Sequence, residues 1–118
     1  MREPVRDRER LEHILDAINT IQHSRSKYSL PEDVEDPIIY YGFVKHVEII
    51  GEAVYMLSKD FKDAHPEVEW DAIQGMRHVL VHGYYQIEPE QLWDTIDKDI
   101  PPLKHQIESL LSDPGELK

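Results

Sequence analysis

Apolar residues recur along most of this chain at spacings of three and four, the period of a helix buried on one side. The first such run extends from about Val5 to Ser24, with Leu11, Ile14, Leu15, Ile18 and Ile21 on one face and charges between them. Residues 25–35 carry Ser, Pro and acids without a period and read as a loop. Asp36-Pro37 then supplies a helix start, a capping carboxylate followed by a proline at the first helical position. The second helix is expected from Pro37 to about Ser58. Phe43, Val47, Ile50, Val54 and Leu57 make one seam, and Tyr41, Val44, Ile49, Ala53 and Met56 widen it. A helix so broadly apolar is buried on several sides. Burial against a second copy of the chain is the favoured expectation, and a central position inside one copy is the alternative. Gly51, in mid-helix, costs about 1 kcal/mol relative to alanine unless it permits close contact with another helix.

Lys59 to Pro66 reads as a connection. A third helix is expected from about Val68 to His82, with Trp70, Ile73, Met76, Val79 and Leu80 inward and Gly83 as its stop. After Pro89 a fourth carries Leu92, Trp93, Ile96, Ile100, Leu103, Ile107, Leu110 and Leu111, kinked or split near Ile100 by Pro101-Pro102. No segment alternates like a strand. The fold class expected is all-α, an up-down bundle of four main helices. It forms one domain over residues 1–118, with frayed tails at 1–4 and 112–118.

Composition narrows the function. The 118 residues contain no cysteine, which excludes disulfides and thiolate metal sites. No apolar run is long enough for a membrane span and the N-terminus is charged, so a soluble, cytoplasmic protein is expected. The formal net charge of −11 argues against broad nucleic-acid binding, and no DNA partner is expected. Residues 1–27 nevertheless hold six Lys/Arg against five Asp/Glu, whereas residues 28–85 hold four against eleven and residues 86–118 three against eight. A polyanion would have to bind locally, near the N-terminal arginines and Arg77. Arg2, Arg6, Arg8 and Arg10 otherwise form a solvated helix face. The acidic remainder could attract a basic partner protein.

The chemistry concentrates in Arg77-His78-Val79-Leu80-Val81-His82-Gly83-Tyr84. Arginine stabilises phosphoryl charge, histidine moves protons near neutral pH, and tyrosine offers a hydroxyl. On one helix Arg77 and His82 are separated by about 140° and about 7.5 Å of rise, so they do not converge by themselves. Either the helix ends near His82, or a symmetric dimer brings two copies of the motif to one cleft. His78 and His82 share a face and could instead hold zinc, with His46, Glu48, Glu52 or His105 as a third ligand. The position after the first histidine is Val79, however, not the glutamate of zinc proteases. Without a metal, both histidines read as helix surface or satisfied core groups. Glu48 and Glu52 share a face of the second helix and could pair with Arg77 or orient it. Trp70 and Trp93 read as core anchors.

Arg77-x-x-x-x-His82-x-Tyr84 resembles the signature of HEPN-domain proteins of the HepT type. The flanking residues carry the same resemblance: Ile49-Ile50-Gly51-Glu52-Ala53, His65-Pro66-Glu67, Trp70, Gly75-Met76-Arg77, Leu80-Val81-His82, Leu92-Trp93 and Pro101-Pro102-Leu103. The position after the arginine is polar in the family, often asparagine; here it is His78, which is compatible with that pattern and could change the role of the site. The resemblance implies a ribonuclease toxin of a prokaryotic toxin–antitoxin pair, a homodimer needing neither metal nor cofactor. It would cleave RNA (a tRNA or an mRNA) by 2′-hydroxyl attack to a cyclic phosphate. The implied partner is a nucleotidyltransferase antitoxin of the MntA type that transfers AMP onto Tyr84. His82 would act as general base or acid, with its partner copy or His78 in the other role. Arg77 would stabilise the phosphate in the transition state and Tyr84 would contact it. Two other readings remain: a non-catalytic helical substrate-binding subunit of a two-component nucleotidyltransferase, and a degenerate structural homodimer.

Overall fold

The computed structural model describes residues 4–28, 31–81 and 89–112, and their side chains except those of 4–6, 31, 34, 77–81 and 89. Helix α1 spans Pro4–Lys27, α2 Pro37–Met56, α3 Lys59–Ala64, α4 Trp70–Val81, α5 Pro89–Asp94 and α6 Ile100–Leu111. A short 3₁₀ turn, Pro31–Glu35, precedes α2, and a π turn, Thr95–Asp99, joins α5 to α6. Among the described residues there is no strand, so the all-α expectation holds.

Specific contacts fix the direction of each helix. Asp7, in the first turn of α1, accepts hydrogen bonds from the Ser58 N–H (2.8 Å) and hydroxyl (2.7 Å), just beyond the end of α2. At the other end Tyr28 meets Phe43 edge-on, so α1 and α2 are antiparallel. Phe61 of α3 contacts Trp70 at the start of α4, while Lys62 donates to the Val54 carbonyl near the end of α2. Helix α4 therefore begins where α2 ends and runs back along it. Lys104 bonds Gln22, and Arg25 bonds Asp97, which sets α6 antiparallel to α1. The four main helices thus alternate in direction.

The core follows the heptad-like pattern. Leu11, Ile14, Ile18 and Ile21 of α1 are buried with Phe43, Val47, Ile50, Val54 and Leu57. Leu92, Trp93, Ile96, Ile100, Leu103, Ile107 and Leu110 complete the same cluster. Helix α2 packs against α1 on one flank and α4 on the other, and this double packing accounts for much of its apolar breadth. Val44 and Ala53 are buried within the chain, and Tyr41 and Ile49 are half-buried against its core. The central position inside one chain accounts for these residues, while Met56, with Ile38 and Tyr55 of the same helix, remains exposed.

Two local differences from the sequence reading have clear causes. The segment expected to be a plain connection holds α3, because the Ser58 hydroxyl caps the Phe61 N–H at 3.1 Å and Asp60 lies in the first turn. The break expected near Ile100 is present: the helix after Pro89 is divided into α5, the π turn and α6, with Pro101 and Pro102 just past the division. They occupy the first turn of α6, where their missing N–H groups cost little, and the π turn immediately before them absorbs the irregularity. Helix α1 outruns its expected end by three residues. Its last turn is held by Arg25, whose guanidinium bonds both Asp97 oxygens at 3.0 Å, donates to the Tyr28 carbonyl and lies 3.9 Å above the Trp93 ring.

Candidate active site

The signature begins on α4. Arg77 and His78 lie in its last two turns; His82 and Tyr84 lie outside the described residues. What the structure settles is how α4 is held.

Trp70 opens the helix as an anchor, 7% exposed, with its indole N–H donating to the His65 carbonyl at 3.0 Å. His65 is itself buried, tilted against Phe61, with Nδ1 3.2 Å from a Glu67 carboxylate oxygen. The triplet His65-Pro66-Glu67 thus builds the corner from which α4 starts. Ile73 is buried and Met76 half-buried on the inner face.

Gly51 sets the crossing with α2. A Cβ built there would lie 3.2 Å from the Gln74 carbonyl oxygen and 3.8 Å from its Cα. Any side chain would press on backbone that cannot rotate away, so glycine is what lets α4 come this close. The close approach expected of Gly51 is therefore present, one turn before Arg77.

Around α4 the charge is mainly acidic. A groove of about 340 Å³ on one flank is lined by Glu67, Glu69, Ala72, Ile73 and Met76, and across it by Lys98, Asp99, Pro102, Leu103 and Gln106. Glu48 of α2 is half-buried and Glu52 exposed. Arg77 is the only lysine or arginine between Lys62 and Lys98.

The remaining candidates separate. Among the described residues no group of three His, Asp or Glu could hold a metal ion, so His46, Glu48, Glu52 and His105 do not assemble a site with one another. His46 places Nδ1 2.8 Å from the Gly42 carbonyl, and His105 is exposed on α6. Arg8 faces Glu12 at 3.4 Å on the surface, as a solvated helix face would, while the Arg10 Nε is buried without a hydrogen-bond partner. Arg2 and the Arg6 side chain lie outside the described residues. On α3, Asp63, hydrogen-bonded at 2.6 Å, raises the Lys59 ammonium above its ordinary value. No described helix is long and apolar enough to cross a membrane.

The sequence reading assigned nothing to His65, Asp7 or Arg25. The Ser58-x-x-Phe61 cap with an acid in the first turn was a usable local signal. The long-range partners of Asp7 and Arg25 had none.

The profile of the family described as Ribonuclease HepT-like matches residues 14–110. The chain is 40% identical over 101 residues to "Putative RNase TTE0752" of Caldanaerobacter subterraneus subsp. tengcongensis, covering 86% of this chain and 90% of that protein. It is 35% identical over 100 residues to "Probable ribonuclease HepT" of Thermococcus cleftensis, covering 85% and 91%. It is 31% identical over 95 residues to "Putative RNase MJ1380" of Methanocaldococcus jannaschii, covering 80% and 87%. No solved structure matches the chain. With the helical bundle, the signature arginine on α4 and a match across nearly the whole domain, the chain belongs to the HepT-like ribonucleases, HEPN-domain proteins of the HepT type.

Proposed function

We propose that this chain is the ribonuclease toxin of a toxin–antitoxin pair and cleaves RNA without a metal ion. The observation that carries the reading is the family match over residues 14–110, joined to an intact Arg77-x-x-x-x-His82-x-Tyr84. His82 takes the proton from a ribose 2′-hydroxyl, or gives one to the leaving 5′-oxygen. The 2′-oxygen forms a bond to phosphorus as the bond to the 5′-oxygen breaks, which leaves a cyclic phosphate on one product. The second histidine of the pair is His82 of another copy or His78. Arg77 stabilises the charge on the pentacoordinate phosphate, and Tyr84 contacts the phosphate.

A homodimer fits this chemistry, because Arg77 and His82 of one helix are about 140° apart and a second copy supplies the missing partner. The silencing partner in this reading is a nucleotidyltransferase of the MntA type. AMP transferred onto Tyr84 fills the cleft with bulk and negative charge. The acidic surface restricts RNA to the neighbourhood of the motif.

Cleavage of total RNA in EDTA, with the ends mapped, tests this. The expected result is cyclic-phosphate termini from the wild type and none from His82→Ala or Arg77→Ala. Folded protein with an unmodified Tyr84 that cuts no RNA would point instead to a substrate-binding subunit for a nucleotidyltransferase.

A further inference from the structure

The ring of main helices is open on one side. Helix α1 packs on α2, α2 on α4 and α1 on α6, but α4 and α6 barely meet. The groove of about 340 Å³ lies in this seam. Each of its walls follows one helix at spacings of three, one and three, beginning at the residue before it. The α4 wall carries Glu69, Ala72, Ile73 and Met76, and the α6 wall Asp99, Pro102, Leu103 and Gln106. Seven residues of helix rise about 10.5 Å, so the trough is about two turns long.

Its chemistry is graded from centre to ends. Ile73 and Leu103 are buried at the floor, Ala72 and Pro102 are exposed, and Met76 is half-buried. Because α4 and α6 run in opposite directions, the acids stand at opposite ends, Glu69 with Glu67 at one and Asp99 at the other. Glu69 and Asp99 are exposed and, among the described residues, have no ion-pair partner. Glu67 faces His65, and Lys98, the one lysine or arginine in the lining, faces Asp94. An apolar trough with free negative charge at both ends matches a helix that presents apolar side chains between cations about seven residues apart. RNA is a poor match, because its phosphates would meet carboxylates at each end.

We propose that the α4–α6 seam docks a basic amphipathic helix of a partner protein, which closes the open side of the bundle. Met76 of the lining directly precedes Arg77, so the partner lies against the helix that carries the motif. The inference does not rest on the nuclease reading.

The test uses the full chain and two labelled helical peptides of about 18 residues. One places Leu at i+3 and i+4 between Lys at i and i+7; the other has Glu in place of Lys. By fluorescence anisotropy the Lys peptide should bind wild type, and Glu69→Lys/Asp99→Lys should bind it at least about tenfold more weakly. The same double variant should bind the Glu peptide at least about tenfold more tightly than wild type does. Glu12→Lys/Asp16→Lys changes the net charge equally at exposed positions of α1 and should stay within about twofold of wild type. Equal weakening by the two double variants reduces the effect to net charge and overturns the proposal. Loss without the reciprocal gain overturns it, as does no binding of the Lys peptide to wild type up to about 1 mM. Amide shifts in ¹⁵N NMR spectra locate the contact: the Lys peptide should move Ile73, Met76 and Leu103. Shifts confined to other helices, or these shifts produced instead by a single-stranded RNA oligonucleotide, overturn it. Gain of binding to the Glu peptide also shows that the double variant is folded, which a thermal midpoint matching wild type checks independently.

Discussion

The Cα of Gly51 and the carbonyl oxygen of Gln74 are so close that a methyl group on the first would stand 3.2 Å from the second. This contact places the motif helix against the centre of the bundle. Alanine at position 51 gains about 1 kcal/mol of helix propensity but must push a backbone away. We expect Gly51→Ala to lose about 1 kcal/mol net and Gly51→Val about 3 kcal/mol, read by urea unfolding. Gly42, with nothing within 4 Å of its hypothetical Cβ, is the control: Gly42→Ala should gain about 0.5–1 kcal/mol. Equal effects at both positions would remove the crossing argument.

The Asp7–Ser58 clamp should matter more than its place near the chain terminus suggests. Asp7 is 5% exposed and accepts two hydrogen bonds from one residue, whose hydroxyl also caps α3. Asp7→Ala should cost about 2–3 kcal/mol, since it leaves a partly buried N–H unpaired. A double-mutant cycle with Ser58→Ala should show coupling above about 1 kcal/mol; additive losses would mean the two residues act separately.

Arg25 is expected to resist conservative replacement. Its fork bonds both Asp97 oxygens and its plane covers Trp93. Lysine can reproduce the charge but neither the fork nor the stack, so Arg25→Lys should cost about 1 kcal/mol. Trp93 fluorescence should move to longer wavelength as its ring is uncovered. An unaltered spectrum would show that the stack is not formed in solution.

Tyr84→Phe separates the nuclease from its silencing. The variant should keep most of its RNA cleavage in EDTA and gain no AMP when incubated with ATP and a cognate nucleotidyltransferase, as read by intact mass. AMP on the variant would move the modification to another residue.

Much of this fold was legible because burial and helical period agree along the chain. Leu11, Ile14, Ile18 and Ile21 of α1, and the run from Leu92 to Leu110, are buried as their spacing requires. The Asp36-Pro37 start is where the sequence puts it, with the Asp36 carboxylate accepting from the Ile38 N–H at 2.9 Å. The apolar breadth of α2 did not say what covers it, because the width of such a face reports how many neighbours a helix has, not whether they belong to the same chain. Asp7–Ser58 and Arg25–Asp97 were hidden because a charged residue on an amphipathic helix looks the same whether solvated or paired with a distant partner. Of the candidate site, the motif was readable as residue types in order. That Gly51 presses on the Gln74 backbone depends on how α2 crosses α4, which periodicity within a single helix does not contain.

The stitching of the bundle also orders its assembly in time. The contacts that form the α2–α3–α4 hairpin join residues close in sequence: Lys62 with Val54, Phe61 with Ser58, and Trp70 with His65. Those that clasp the outer helices span 51, 72 and 82 residues, from Asp7 to Ser58, Arg25 to Asp97 and Gln22 to Lys104. Short loops close first because they sacrifice less chain entropy. The hairpin that carries Arg77 and the Asp7–Ser58 clasp can therefore form while the last helix is still emerging from the ribosome, and only the Arg25–Asp97 and Gln22–Lys104 clasps must wait for it. In that order of assembly the motif helix would dock before the core is closed along the side that α6 covers.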